Sequence, residues 1–182
     1  YVDALIKEIE FTKDYFSDKE IESLYIGGGT PTSLNEKQLD KLLTNVEKCF
    51  KIPVEFTVEA GRPDTITEEK LKILKEHNVS RISINPQTLN DETLRLIGRE
   101  HSVEMFLNAF EMARKAGHKH INTDIILGLP GEGEKEVTNT MEGLMKLNPE
   151  SITVHTLAVK RASRLKETLE NYNMTDALQM DR

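Results

Sequence analysis

Tyr25-Ile26-Gly27-Gly28-Gly29-Thr30-Pro31-Thr32 is a short apolar run broken by three glycines and closed by Thr-Pro-Thr. Consecutive glycines strip the turn of Cβ atoms, so a ligand can approach the backbone itself and use its N–H and C=O groups. Pro31 fixes φ and removes one donor, which argues against direct entry into a helix. The stretch lacks the Gly-Lys-Ser/Thr end of a Walker loop, and it is not the G-x-G-x-x-G that opens a dinucleotide-binding helix. Standing alone, it also fits an ordinary glycine turn.

On either side of this stretch, short β-branched runs alternate with helical patterns along most of the chain. Strands are expected at residues 23–26, 54–59, 81–85, 120–127 and 151–157, with period-two spacing in Val54, Phe56 and Val58 and in Ile82 and Ile84. Helices are expected at about 36–50, 68–77, 103–116 and 134–147. Asn35 with Gln38 three residues on forms a capping-box pattern, and Thr67 precedes Glu68 and Glu69 in a dipole-favoured first turn. Asn78 and Gly117 occupy the positions where a helix turns left-handed and stops. Strands alternating with helices of this length predict an α/β fold of βαβ units, with a parallel sheet and right-handed crossovers.

In such folds, function gathers at the carboxyl ends of the strands. The first strand pattern is followed by Gly27-Gly28-Gly29-Thr30, and the second ends in Glu59-Ala60-Gly61-Arg62-Pro63-Asp64. Asn85-Pro86-Gln87 follows the third, with Gly98-Arg99-Glu100 beyond a short helical turn. Asp124 lies near the end of the fourth, ahead of Gly128-Leu129-Pro130-Gly131, and the last runs into His155-Thr156-Leu157-Ala158. This set suits a small zwitterionic ligand carrying hydroxyls. Glycine-loop carbonyls can accept from an ammonium group, Arg99 can hold a carboxylate with a bidentate fork, and Glu59, Gln87 and Asp124 can bind ribose hydroxyls. Taken singly, Glu59 and Asp124 also fit solvated loop acids or caps, Gln87 a turn amide, and Arg99 a surface helix residue.

The 182 residues suit one domain, or a piece of one, and the formal charge of -7 comes from 31 acids against 24 bases. No Lys/Arg block suggests a nucleic-acid footprint, and runs such as Ile125-Ile126-Leu127 are far too short to span a bilayer. The single cysteine, Cys49, excludes an internal disulfide framework and fits a reducing cytoplasm. Tyr1 opens directly inside an amphipathic pattern of Val2, Leu5, Ile6 and Ile9, so an excised segment with a strand missing upstream is expected.

The motifs at 27–32, 58–64, 81–87, 98–100 and 122–130 together resemble the oxygen-independent coproporphyrinogen III oxidase-like (coproporphyrinogen dehydrogenase) branch of the radical S-adenosylmethionine (SAM) enzymes. They run in that family's order over roughly residues 20 to 160. The resemblance implies a partial (β/α) barrel with parallel strands, outer helices and its first, cluster-bearing strand absent. Residues 1–160 would form the radical SAM core, with 161–182 the start of a C-terminal region or tail. By motif position, Gly28, Gly29 and Thr30 would bind the methionine amino end of SAM, and Arg99 its carboxylate. Glu59, Gln87 and Asp124 would face the ribose and amino-acid portions, and Ile126 and Ala158 would line the adenine pocket. In the family a [4Fe-4S] cluster, fed by an electron donor, cleaves SAM to a 5′-deoxyadenosyl radical that starts oxidative decarboxylation of a porphyrinogen propionate in heme biosynthesis. The protein positions and shields that chemistry.

The family's Cys-x3-Cys-x2-Cys loop is not in this chain, so its own 182 residues are expected to be inactive. Cys49 shares the apolar stripe of Leu39, Leu42, Leu43 and Val46, where a core thiol is expected. His77, His118 and His120 are expected to be solvated at helix ends or turns, His101 to begin a helix, and His155 to lie near a strand end, from which it could reach the substrate side. Loss of a preceding strand would leave residues 23–26 as an exposed edge, with self-association or a covering segment expected there. Two other readings of the parent protein stand beside the enzyme: a superfamily member with a different substrate, and a non-catalytic heme carrier that keeps the SAM fold. An unrelated TIM-type enzyme is a third.

Overall fold

Every expected strand and helix forms. The structure, a computed structural model, describes residues 1–157. Five strands, β1 (Ser23–Ile26), β2 (Glu55–Glu59), β3 (Arg81–Ser83), β4 (His120–Leu127) and β5 (Ser151–Thr156), form one parallel sheet in sequential order. The helices are α1 (Val2–Thr12), α2 (Glu36–Cys49), α3 (Glu68–Glu76), α4 (Asp91–Leu96), α5 (Val103–Lys115) and α6 (Glu134–Leu147). β3 stops at Ser83, two residues short of its sequence pattern, because Pro86 and the turn around it bend the chain out of the ladder.

The helix boundaries obey the capping chemistry. Asn35 and Gln38 make the reciprocal bonds of a capping box at α2, and the Thr67 hydroxyl accepts from the Lys70 amide at α3. Asn78 and Gly117 take φ of 55° and 86° just past α3 and α5, so the helices stop where the chain can turn left-handed.

One face of the sheet is apolar and covered. Phe56, Val58, Ile82, Ile84, Ile121 and Ile125 pack against Leu39 and Leu43 of α2, Leu71 and Leu74 of α3, Phe106 and Phe110 of α5, and Leu144 of α6. Val2 and Ile6 of α1 form a smaller cluster with Leu42 and Val46 of α2. Most of the alternate strand residues are polar. One row runs Glu59–Ser83–Asn122–Ser151 across four strands, and Asp124 pairs with Thr153 in the row above. A sequential parallel sheet with its helices packed over one face is the arrangement of an open (β/α) barrel, and here the other face is largely polar. No helix among the described residues is long and apolar enough to cross a membrane.

Candidate functional site

The loops at the carboxyl ends of the strands collect the residues singled out in the sequence. Gly27 directly follows β1, Glu59 closes β2, and Gln87 lies four residues past β3. β4 is longer than β3, so Asp124 stands two residues above the Ser83–Asn122 pair although it lies within its strand. The Gln87 amide donates to the Asp124 carbonyl at 3.1 Å, and the Ile126 amide donates to the Gln87 carbonyl at 2.9 Å. Gly27–Gly29, Glu59, Gln87 and Asp124 therefore share one end of the sheet, and Ile126 lies on the Asp124 face by two-residue alternation. Ala158 falls outside the described residues.

The glycine turn divides its roles. Gly28 has φ of 94°, a left-handed backbone that a side chain resists, and a Cβ at Gly28 or Gly29 would meet nothing within 4 Å. A Cβ at Gly27 would lie 2.2 Å from the Tyr25 ring and 2.8 Å from Glu59 Oε2. The first glycine thus makes room for two side chains, while the next two leave backbone open to a ligand. Thr30 is extended and precedes a tight turn, Pro31–Ser33, in which Pro31 and Thr32 are buried.

Two arginines lie close to the second and third loops, and their surroundings separate them. Arg62 is held by Asp64 at 2.9 Å and by Glu100 at 2.7 Å. Arg99 is half-buried and forms no ion pair with any carboxylate among the described residues. Burial, reinforced by the Arg62 charge, pulls its pKa down from the usual guanidinium value. A desolvated cation with no acid of its own is poised to take an anionic group.

On the inner face Asn122 gathers the hydroxyls of Ser151 and Thr153 on its oxygen, at 2.7 and 3.0 Å, and donates to Asp124. His155 Nε2 lies 3.6 Å from Asp124 Oδ2, with its ring mostly exposed, so the expected position of His155 at the strand end is met.

Buried polar links stitch neighbouring loops together. The Lys70 ammonium donates to the carbonyls of Thr32 and Thr65, and the hydroxyls of the same two threonines lie 2.6 Å apart. His101 Nε2 donates to the Pro86 carbonyl, and the Thr88 hydroxyl donates to Glu132. None of these links was visible in the sequence, because each joins residues far apart along it. Thr32, Lys70, Thr88, His101 and Glu132 are all buried, with only 8% of the Lys70 surface exposed.

Three histidine and cysteine expectations are corrected. His77 is buried between Asp40 and Glu47 of α2, with both ring nitrogens 3.0 Å from a carboxylate, and is not solvated. His118 is buried as well, donating to the Leu71 carbonyl. Both follow helices whose ends pack against the preceding βαβ unit. Cys49 is half-exposed, not core: it ends α2 and lines a cavity of 560 Å³ with Phe16, Phe50 and Ile52. That cavity lies at the amino ends of β1 and β2, opposite the candidate site. His120 is exposed, as expected.

The donor set fits SAM: an open glycine backbone, two carboxylates, and a half-buried cation without an acid partner can meet an α-amino acid and ribose hydroxyls. The same residues do not fit an iron–sulfur cluster. Among the described residues no three His, Cys, Asp or Glu side chains could hold a metal, and Cys49 is at the wrong end of the sheet.

A model of the Radical SAM superfamily matches residues 3–144. The chain is 46% identical over 168 residues to the oxygen-independent coproporphyrinogen-III oxidase-like protein HemZ of Bacillus subtilis, spanning 91% of this chain and 33% of that protein. It is 39% identical to the heme chaperone HemW of the same organism, over 88% of this chain and 43% of the chaperone. Coproporphyrinogen III oxidase (HemN) from Escherichia coli, described as a radical SAM enzyme, superposes with a TM-score of 0.80 at 28% identity, covering all of this chain and 44% of the enzyme. The chain thus spans about a third to under a half of these relatives. With the sequential parallel sheet, its polar inner face and the family match over most of its length, this chain belongs to the radical SAM superfamily.

Proposed function

We infer that this chain is the SAM-binding core of an oxygen-independent coproporphyrinogen III oxidase-like protein, acting in oxidative decarboxylation of porphyrinogen propionates during heme synthesis. The observation that carries the SAM part is Arg99, a half-buried cation that forms no ion pair among the described residues, near the loop after β2; the glycine loop after β1 adds open backbone at the same end of the sheet. The porphyrinogen part rests on likeness to HemZ and to the Escherichia coli oxidase. Residues 1–160 form the core in this reading, and 161–182 begin a C-terminal region or tail.

In this reading the carbonyls of Gly28 and Gly29 and the Thr30 segment receive the ammonium of the methionine end, and Arg99 forks onto its carboxylate. Glu59, Gln87 and Asp124 accept or donate to the ribose hydroxyls and the amino-acid portion. Ile126 and Ala158 cover the adenine. Bound SAM supplies hydrogen-abstraction chemistry; the chain's residues bind, orient and exclude water. The cluster, its electron donor and the porphyrinogen belong to the whole protein, which we place in the cytoplasm.

Heme carriage is the second reading, favoured by 39% identity to the chaperone HemW. The full-length protein, with its cluster reconstituted under anaerobic conditions, separates the two. The enzyme reading predicts conversion of coproporphyrinogen III to protoporphyrinogen IX. No conversion, with heme co-eluting stoichiometrically on a sizing column, would replace it with the carrier reading.

A further inference from the structure

Gln87 is not a glycine, yet its φ is 67°, a left-handed backbone that an L side chain adopts at a cost. Such a conformation persists only when its surroundings over-determine it, and here four consecutive residues are held. Pro86 accepts from His101 Nε2 at 3.2 Å. Gln87 bonds β4 through both its amide and its carbonyl. The Thr88 hydroxyl donates to Glu132 Oε1 and lies 3.3 Å from the Thr140 hydroxyl. The Leu89 amide donates to that Thr140 hydroxyl at 3.1 Å.

The two side chains that grip either flank of Gln87 are costly to bury. His101 is 3% exposed, and with Nε2 donating to Pro86, its Nδ1 is a buried acceptor without a partner. Glu132 is also 3% exposed and has no cation beside it among the described residues; its carboxyl meets threonine hydroxyls. Burial pushes the Glu132 carboxyl up and the His101 imidazole down, each toward its neutral form. An aliphatic pair would fill the same space with less desolvation. Their polar groups earn their place by what they hold.

We propose that His101 and Glu132 are positioning residues that clamp Gln87 from both sides and thereby set the affinity of the site for SAM. The clamp rests on the reading of Gln87 as a SAM-binding residue. His101 comes from the segment between α4 and α5, and Glu132 from the loop after β4, so the clamp ties both segments to the turn after β3.

A double-mutant cycle on the full-length protein tests this, with the SAM dissociation constant measured by calorimetry and thermal unfolding recorded alongside. Gln87→Gly removes the side chain while tolerating the left-handed backbone, and weakens SAM at least tenfold or so. Thr88→Val keeps the side-chain shape and His101→Phe keeps a planar ring with some added bulk; both delete the donors, and each weakens SAM about fivefold to twentyfold. Glu132→Gln keeps an acceptor oxygen and stays within about twofold of wild type. In the Gln87→Gly background, Thr88→Val and His101→Phe have less than about a twofold further effect, which a merely structural role would not produce. If Gln87→Gly weakens SAM but the clamp variants do not, or their effects persist undiminished in that background, the clamp is overturned. If Gln87→Gly leaves SAM affinity unchanged, the SAM reading of this residue fails and the clamp with it.

Discussion

The Tyr25 hydroxyl donates to Glu59 Oε2 at 3.3 Å across the β1–β2 pair, and Gly27 lies beneath both side chains. Burial and the Glu59 charge raise the Tyr25 phenol above its ordinary pKa, so it remains a proton donor to the carboxylate near neutrality. Gly27 does not have a positive φ, so its requirement for glycine comes from space alone. Gly27→Ala therefore displaces the ends of two side chains and leaves the backbone path intact. Stability should fall by no more than about 1 kcal/mol, while SAM affinity of the full-length protein drops roughly tenfold or more. Unchanged affinity in a calorimetric titration would show that Glu59 does not contribute where we place it.

Lys70 ties the glycine loop to the loop after β2 through two carbonyls, with no carboxylate on its ammonium among the described residues. Lys70→Met keeps the length of the chain but leaves the Thr32 and Thr65 carbonyls without their donor. Lost stability of roughly 1–3 kcal/mol is expected in urea unfolding. A variant as stable as wild type would mean that water replaces the ammonium without cost.

Burial holds the His118 imidazole below its ordinary value of 6.5. A lowered folded-state pKa favours the neutral ring, so its stabilisation is present above that ordinary value and is lost as pH falls through the folded one. Below about pH 6.5 this histidine should cost up to about 1.4 kcal/mol for each pH unit over which only the unfolded chain binds the proton. His101 is shifted the same way, so His118→Gln should reduce the slope of stability against pH without abolishing it. An unchanged slope in urea titrations across this range would contradict the assignment.

β1 pairs only with β2 among the described residues, and Leu24-Tyr25-Ile26 carries no charge. An open edge of this kind recruits another strand. Light scattering on the 182-residue chain should show association that grows with concentration, with slowed amide exchange at residues 24–26. A monodisperse monomer whose amides exchange rapidly there would contradict the open-edge account.

Much of this fold was legible because each element carries a local cause. The apolar alternation of Phe56 and Val58 and of Ile82 and Ile84 marks the buried face of the sheet, whereas Val54, expected in the same strand, precedes β2 and is exposed; Asn35, Thr67, Asn78 and Gly117 mark helix ends by capping chemistry. The strand-end residues Glu59, Gln87 and Asp124 were legible because topology alone sends them to one end of a parallel sheet. What escaped was long-range. Lys70 in Thr67-Glu68-Glu69-Lys70 has the look of a surface helix residue, and nothing local says that its ammonium meets two loop carbonyls. His77 and His118 have turn-like neighbours in sequence, but the turn is packed against α2 in one case and α3 in the other. The left-handed Gln87 has no glycine or asparagine signal, since tertiary bonds, not its own propensity, enforce it.

In our reading the loops after β1 to β4 form one SAM site. Hydrogen exchange on the full-length protein, read by mass spectrometry with and without SAM, tests it most directly. Peptides covering residues 27–30, 85–88 and 124–127 should gain protection together on SAM addition, while those around Cys49 at the opposite end of the sheet should not change. Protection confined to the Cys49 end, or exchange at all three loops unaltered by saturating SAM, would contradict the account.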